Sequence, residues 1–248
     1  MSENLDKRKI VVLIDADNAQ YSKIESILEE IAARGQIITK RAYGDWSQET
    51  LKNWKTILNT LAIQPIQQFA YTSGKNATDS SIIIDAMDLL YGNRHDTFVI
   101  VSSDSDFTRL ASRLRESEIF VIGFGQSKTP VAFRNACDDF IFTENLNSNE
   151  EQDSNGSTNQ IQKVKKVTEL VPLLTKAWSQ FREEDSWANL SIVGTYIKRS
   201  RPDFDPRTYG CTKLSDIIRK LEKYYDHKMI SINGSKASIM VFRLKKST

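Results

Sequence analysis

Residues 10–18 read Ile10-Val11-Val12-Leu13-Ile14-Asp15-Ala16-Asp17-Asn18, and residues 98–107 read Phe98-Val99-Ile100-Val101-Ser102-Ser103-Asp104-Ser105-Asp106-Phe107. In each, a strand-sized apolar run delivers aspartates at its carboxyl end. Between and beyond these runs, strand and helix signals alternate. Strands are predicted at Ile37–Tyr43, Ile66–Tyr71, Ile119–Phe124 and Phe140–Phe142. Helical spacing predicts helices over Tyr21–Arg34, Gln48–Leu61, Asp79–Tyr91, Phe107–Arg115 and Val131–Cys137. Strands separated by helices imply an α/β fold with a parallel sheet wrapped on both faces. Such sheets hold ligands outside the carboxyl ends of their strands.

That edge is therefore the expected site. Asp15, Asp104 and Asp106 reach it from two strands. Asp79 reaches it from a helix, because Ile83, Ala86 and Leu90 fall within about 40° of it on a helical wheel. Asp79 thus tips the stripe expected to pack on the sheet, and its charge suits a helix N-terminus. Asp85 and Asp88 fall on the opposite side and read as solvated. Carboxylates gathered at one place repel unless a divalent cation lies among them, and Mg²⁺ or Mn²⁺ suits such hard oxygen donors. Such an ion supports phosphodiester cleavage.

The C-terminal part differs. Helices are predicted over Val164–Phe181, Ile192–Ser200 and Thr212–Tyr225, the last with Leu214, Ile217, Ile218 and Leu221 as its apolar stripe. Met229–Ile232 and Ser238–Leu244 flank Asn233-Gly234, a hairpin signal. Three helices and a hairpin suggest a small winged helix-turn-helix.

Charge separates the two parts. Met1–Leu146 holds 16 Lys and Arg against 20 Asp and Glu, while Lys163–Thr248 holds 18 against 9. A basic domain beside an acidic one fits a nucleic-acid binder joined to a metal site. Residues 147–162 carry no aromatic residue and one large aliphatic one, so they read as a flexible linker. The expected domains are 1–146, a linker at 147–162, and 163–248. Cys137 and Cys211 read as packing residues rather than a disulfide. No apolar run approaches the roughly 20 residues of a membrane helix. Met1–Lys9 is polar, so no signal peptide is read and a cytoplasmic location is expected.

Three stretches carry a family resemblance: Val11–Asn18, Lys75–Asp88 (K-N-A-T-D-S-S-I-I-I-D-A-M-D) and Val99–Phe107. Together they resemble the signatures of the NYN domain, a branch of the PIN-like nucleases, over about Lys9 to Glu144. The resemblance implies a Rossmann-like sheet and a metal-dependent ribonuclease. It implies metal-ligand roles for Asp15, Asp79, Asp104 and Asp106, with Asn18 holding Asp15 or a phosphate and Ser102 or Ser103 orienting ligands. Asp85 also matches a frequent acidic position. Ser103 departs from the pattern, where glycine is frequent. Asp203–Leu221 resembles the OST-HTH or LOTUS domain, a winged helix associated with RNA binding in some members and protein docking in others.

The expected nucleic-acid contacts are Lys75, Arg207, Lys213, Arg219, Lys220 and Lys223 on phosphates, with Tyr209 stacking on a base. Lys198, Arg199, Arg201, Arg243 and Lys245 add basic charge. Trp178 and Trp187 read as core. The leading expectation is a ribonuclease acting on single-stranded RNA. The alternative is a catalytically silent RNA-binding regulator that retains the fold. A phosphatase of the haloacid-dehalogenase type fits Asp15-Ala16-Asp17, but Asn18-Ala19 departs from that pattern and the basic domain is left without a role.

Overall fold

The computed structural model describes residues 8–69, 77–146, 165–231 and 238–245. The chain divides into two compact units, Met1–Thr158 and Asn159–Thr248. Lys75, the stretch 147–162 and Asn233-Gly234 lie outside the described residues.

The first unit runs β1 (Lys9–Asp15), α1 (Ile24–Ala32), β2 (Gln36–Gly44), α2 (Trp54–Thr60), β3 (Gln64–Gln67), α3 (Ala77–Tyr91), β4 (Thr97–Val101), α4 (Thr108–Glu116), β5 (Phe120–Gly125), α5 (Val131–Ala136) and β6 (Asp139–Phe142). Its six strands pair in parallel in the order β3-β2-β1-β4-β5-β6. The chain winds outward from β1 to β3, then returns to β4 beside β1 and winds outward the other way. The seam between β1 and β4 is the point where strand order reverses.

Side chains alternate across the sheet, and both faces are covered. Ile10, Val12 and Ile14 of β1 and Val99 and Val101 of β4 pack with Ile24, Ile27 and Ile31 of α1 and Trp54 and Leu58 of α2. Val11 and Leu13 of β1 and Phe98 and Ile100 of β4 pack with Ile82 and Ala86 of α3, Leu110 and Leu114 of α4 and Phe133 of α5. This explains why these strands carry unbroken apolar runs: neither face meets water. Each of Ile10 to Ile14 is fully buried, stabilising the fold by about 1.5–3 kcal/mol per large side chain.

Three elements differ from the sequence expectation in this unit. β3 ends at Gln67, not Tyr71, and Ala70 and Tyr71 lie outside the described residues. It is an edge strand, where Pro65 is tolerated because the missing donor need not pair. The sheet-facing stripe of α3 centres on Ile82 and Ala86, with Ile83 and Leu90 only partly buried. Asp85 is not merely solvated: Arg41 Nη1 donates to its Oδ2 at 2.8 Å and Tyr43 Oη at 2.6 Å. These bonds tie α3 to β2.

The second unit holds α6 (Val171–Phe181), β7 (Ala188–Asn189), α7 (Leu190–Ser200), α8 (Leu214–Lys220), β8 (Tyr225–Ser231) and β9 (Ser238–Leu244). Its strands form an antiparallel sheet in the order β7-β9-β8. Leu174, Val193, Ile197, Ile217, Ile218, Tyr225 and Phe242 meet in one core. The expected helix over Thr212–Tyr225 stops at Lys220, and Tyr225 opens β8 instead. Tyr225 is buried edge-on against Phe242, with ring centroids 5.4 Å apart. Sheet pairing and that burial override the local helical pattern. Cys137 and Cys211 are buried free thiols, as read from the sequence. Among the described residues no helix is long and apolar enough to cross a membrane.

Candidate metal centre

The carboxyl edge of the β1–β4 seam gathers the acidic residues. Asp79, Asp104 and Asp106 each offer a carboxylate oxygen within 4.8 Å of the other two. Asp79 comes from the first turn of α3 and is buried. Asp104 is half-buried and Asp106 exposed, so the group opens to solvent on one side. Asp104 caps the turn after β4, accepting the Asp106 amide at 3.0 Å. The cap fixes the backbone from which both carboxylates rise.

Asp15 lies outside that trio but is bonded to its support. Burial raises its pKa above the usual carboxylate range, against the hydrogen bonds that Ser102 and Asn18 donate. Its Oδ2 accepts from Ser102 Oγ at 2.8 Å and from Asn18 Nδ2 at 2.8 Å. Ser102 Oγ in turn accepts the Asp104 amide at 3.0 Å. One hydroxyl therefore links the end of β1 to the loop after β4. Ser103 is engaged elsewhere, accepting the Gln126 amide at 2.9 Å. Of the two serines, Ser102 is the one on the acidic site.

Asp79 shows the electrostatic cost of this grouping. Burial pushes its pKa up to about 6, and the charges of Asp15, Asp104, Asp106 and Asp17 add to the effect. Four neighbouring carboxylates raise the cost of ionising Asp79, and a cation placed among them would relieve it. The donor set is all hard oxygen, which fits Mg²⁺ or Mn²⁺ and not a thiol- or imidazole-loving metal.

Asp17 is a supporting residue absent from the sequence-derived set. Its Oδ2 accepts from Thr78 Oγ1 at 2.8 Å, holding the start of α3 beside the β1 loop. Its position two residues after Asp15 was the available signal; its partner on a distant helix was not legible. Asp85 is not one of the trio and bonds Arg41 and Tyr43 instead, and Lys75 lies outside the described residues.

The expected nucleic-acid residues of the second unit are placed differently. Tyr209 is buried in the core with its ring centroid 6.2 Å from that of Phe204, so its faces are not open for stacking. Arg207 is held by Asp205 through Nε and Nη2. Arg219 pairs with Asp216, and Lys220 donates to the Gly210 carbonyl. Lys198 bonds the Pro202 and Phe204 carbonyls. Lys213 and Lys223 are exposed.

A doubly wound parallel sheet with a carboxylate cluster at its reversal point defines an α/β domain with a candidate cation site at its ligand-binding edge. The match is specific: residues 9–147 fit the NYN domain, and the chain belongs to that family, within the PIN-like nuclease superfamily. Residues 163–231 match the OST-HTH/LOTUS domain. Several solved structures align with the chain, two of them as follows. A protein of unknown function from Vibrio parahaemolyticus does so at TM-score 0.46 and 18% identity, covering 56% of this chain and 94% of that one. An uncharacterized protein from Nitrosomonas europaea does so at TM-score 0.30 and 26% identity, covering 39% of this chain and 93% of that one. No curated protein matches.

Proposed function

We propose that the chain is a metal-dependent ribonuclease cutting single-stranded RNA, with the LOTUS domain as its RNA-holding part. The observation that carries this reading is the approach of Asp79, Asp104 and Asp106 to within 4.8 Å of one another at the strand-order reversal. NYN and LOTUS domains in one chain agree with a nuclease-like, RNA-associated role.

In this reading Asp79, Asp104 and Asp106 hold Mg²⁺ or Mn²⁺. A divalent ion bound there neutralises phosphate charge and makes an attacking water more acidic. The protein's own groups do the positioning. Ser102 orients Asp104 through its amide and donates to Asp15, opposing the effect of burial on that carboxyl. Asn18 shares that task and, being exposed, can turn its amide toward a substrate phosphate. Asp17 holds Thr78 and so the helix end that presents Asp79.

The test is incubation of purified protein with mixed single-stranded RNA, with and without Mn²⁺. Cleavage that requires the metal and is lost in Asp104→Asn, with RNA binding retained, is the expected result. Binding without cleavage by the wild-type protein in either Mg²⁺ or Mn²⁺ would instead identify a silent RNA-binding regulator.

A further inference from the structure

The second unit carries a cleft that the helix-centred expectation overlooks. It lies between the C-terminal end of α6 and strands β8 and β9, has a volume of about 800 Å³, and is lined by Trp178, Arg182, Asp185, Asp226, Arg243 and Lys245. Sites for small organic ligands span roughly 300–1,000 Å³, so the space can accept one or more nucleotide units.

Its cations are arranged on aromatic rings. The Arg182 guanidinium carbon lies 5.1 Å from the Trp178 ring centroid. Trp187 and Lys228 adjoin this lining without forming part of it: the Trp187 ring centroid is approached by the Arg243 guanidinium at 4.7 Å and by Lys228 Nζ at 4.2 Å. A ring contact holds a long flexible cation in place and reduces the entropy lost when it binds an anion. Arg182 and Lys228 have no ion-pair partner among the described residues. Arg243 and Lys245 share Asp226 at 3.1 and 3.7 Å, with all three side chains substantially exposed. Exposed pairs of this kind are worth little, so a phosphate can replace the carboxylate at small cost.

The contrast with α8 decides the location. In the turn before α8 Arg207 is committed to a buried Asp205 and the Tyr209 ring is in the core, and at the end of α8 Lys220 is committed to a carbonyl. At and beside the cleft, ring-backed guanidinium groups stand with Lys228, which rests on the Trp187 ring, and Lys245, which is held only by an exposed pair with Asp226. Guanidinium planes stack on unpaired bases, and ammonium groups track a phosphate backbone. A duplex would offer the phosphates but not the base faces.

We propose that this cleft, rather than α8, is where the basic domain binds single-stranded RNA, with bases on Arg182 and Arg243 and phosphates on Lys228 and Lys245. The proposal rests on reading that domain as the RNA-holding half of a ribonuclease.

The test uses the full chain and a labelled single-stranded RNA, in metal-free buffer, followed by fluorescence anisotropy across a salt series. Arg182→Gln with Lys245→Gln should weaken binding at least tenfold and reduce the salt slope by about 0.7, the share of the one phosphate-contacting cation removed. Lys213→Gln with Lys223→Gln should change binding less than twofold. Both variants are surface changes, and unaltered thermal unfolding checks that each is folded. Crosslinking of 4-thiouridine RNA to the wild-type chain should label peptides containing Trp178–Ser186 or Arg243–Lys245. The proposal is overturned if the α8 variant alone loses binding, if neither variant does, or if the wild-type chain binds no RNA and the cleft is left to a protein partner. Cleavage assays separate this from the ribonuclease reading. Wild-type cleavage with an unaffected cleft variant removes only the cleft proposal. Cleft-dependent binding without any metal-dependent cleavage removes only the ribonuclease.

Discussion

Ser102 Oγ donates to Asp15 Oδ2 at 2.8 Å while accepting the Asp104 amide at 3.0 Å, so neighbouring strands share one hydroxyl at the acidic edge. Both Ser102 and Asp15 are 1% exposed. Ser102→Ala leaves a buried carboxylate with one donor fewer and the Asp104 amide without its acceptor. Stability should fall by about 1–3 kcal/mol, read by urea unfolding. Mn²⁺-dependent RNA cleavage should fall at least tenfold, whereas Ser103→Ala should retain most of it.

Asp79→Asn should stabilise the metal-free protein. The Asp79 pKa is pushed up to about 6 by burial and then by neighbouring carboxylates. The unfolded chain releases this proton near pH 4, the folded chain only near pH 6. Folded stability is therefore lost as pH rises through that window, and the neutral amide avoids the loss. At pH 7 the gain should be about 1–2 kcal/mol after discounting for solvent screening, read as a higher Tm in EDTA. Mn²⁺ should raise the Tm of the wild-type protein, and the same variant should lose that increase. A lower Tm in EDTA would contradict this account.

Asp85→Ala tests the tie between α3 and β2. It removes the acceptor shared by Arg41 and the buried Tyr43 hydroxyl. The expected loss is about 1–3 kcal/mol. Asp88→Ala, at an exposed position on the same helix, should change stability by less than about 0.5 kcal/mol.

Gly125→Ala should damage the site from behind. A Cβ there would stand 2.6 Å from Thr129 Oγ1 and 2.7 Å from the Ser102 carbonyl oxygen. The crowding should cost about 1–3 kcal/mol and shift Ser102. Cleavage should therefore drop by more than the fraction of protein unfolded, as measured by circular dichroism on the same sample.

The second unit should respond to acid through Asp205. Burial raises the pKa of this carboxyl, but hydrogen bonds and charge from Arg207 more than offset it, and it is held below the usual range. The stability it contributes is present above the unfolded value near 4 and is lost as pH falls through the lower folded value. Asp205→Asn should therefore destabilise at pH 7 and matter progressively less below pH 4, read by thermal unfolding of the full chain against pH.

Much of this was legible in sequence for a physical reason. Strands buried on two faces must be apolar throughout, so β1 and β4 announce themselves, and topology then sends Asp15 and Asp104 to the same edge. The position of Asp79 followed from its place on the wheel. Other features depend on partners far along the chain. Nothing local to Asp85 reveals Arg41 and Tyr43, which arrive from β2. Tyr225 reads as helical until β9 is present to pair with it. The cleft beside Trp178 escaped notice because its walls come from residues more than 60 positions apart, and a tryptophan in isolation reads as core.

The placement of β4 beside β1 has a consequence for biosynthesis. While a ribosome has released only the first half of the domain, β1 has β2 on one side and an open edge on the other. That edge is the oily stretch Ile10–Ile14, a ready template for mispairing. It is sealed only when residues 97–101 emerge, and the same event brings Asp104 and Asp106 to Asp79. Truncated chains ending before residue 97 should thus be sticky and lack the assembled acidic trio together, so premature termination yields no fragment carrying Asp79, Asp104 and Asp106 at one edge.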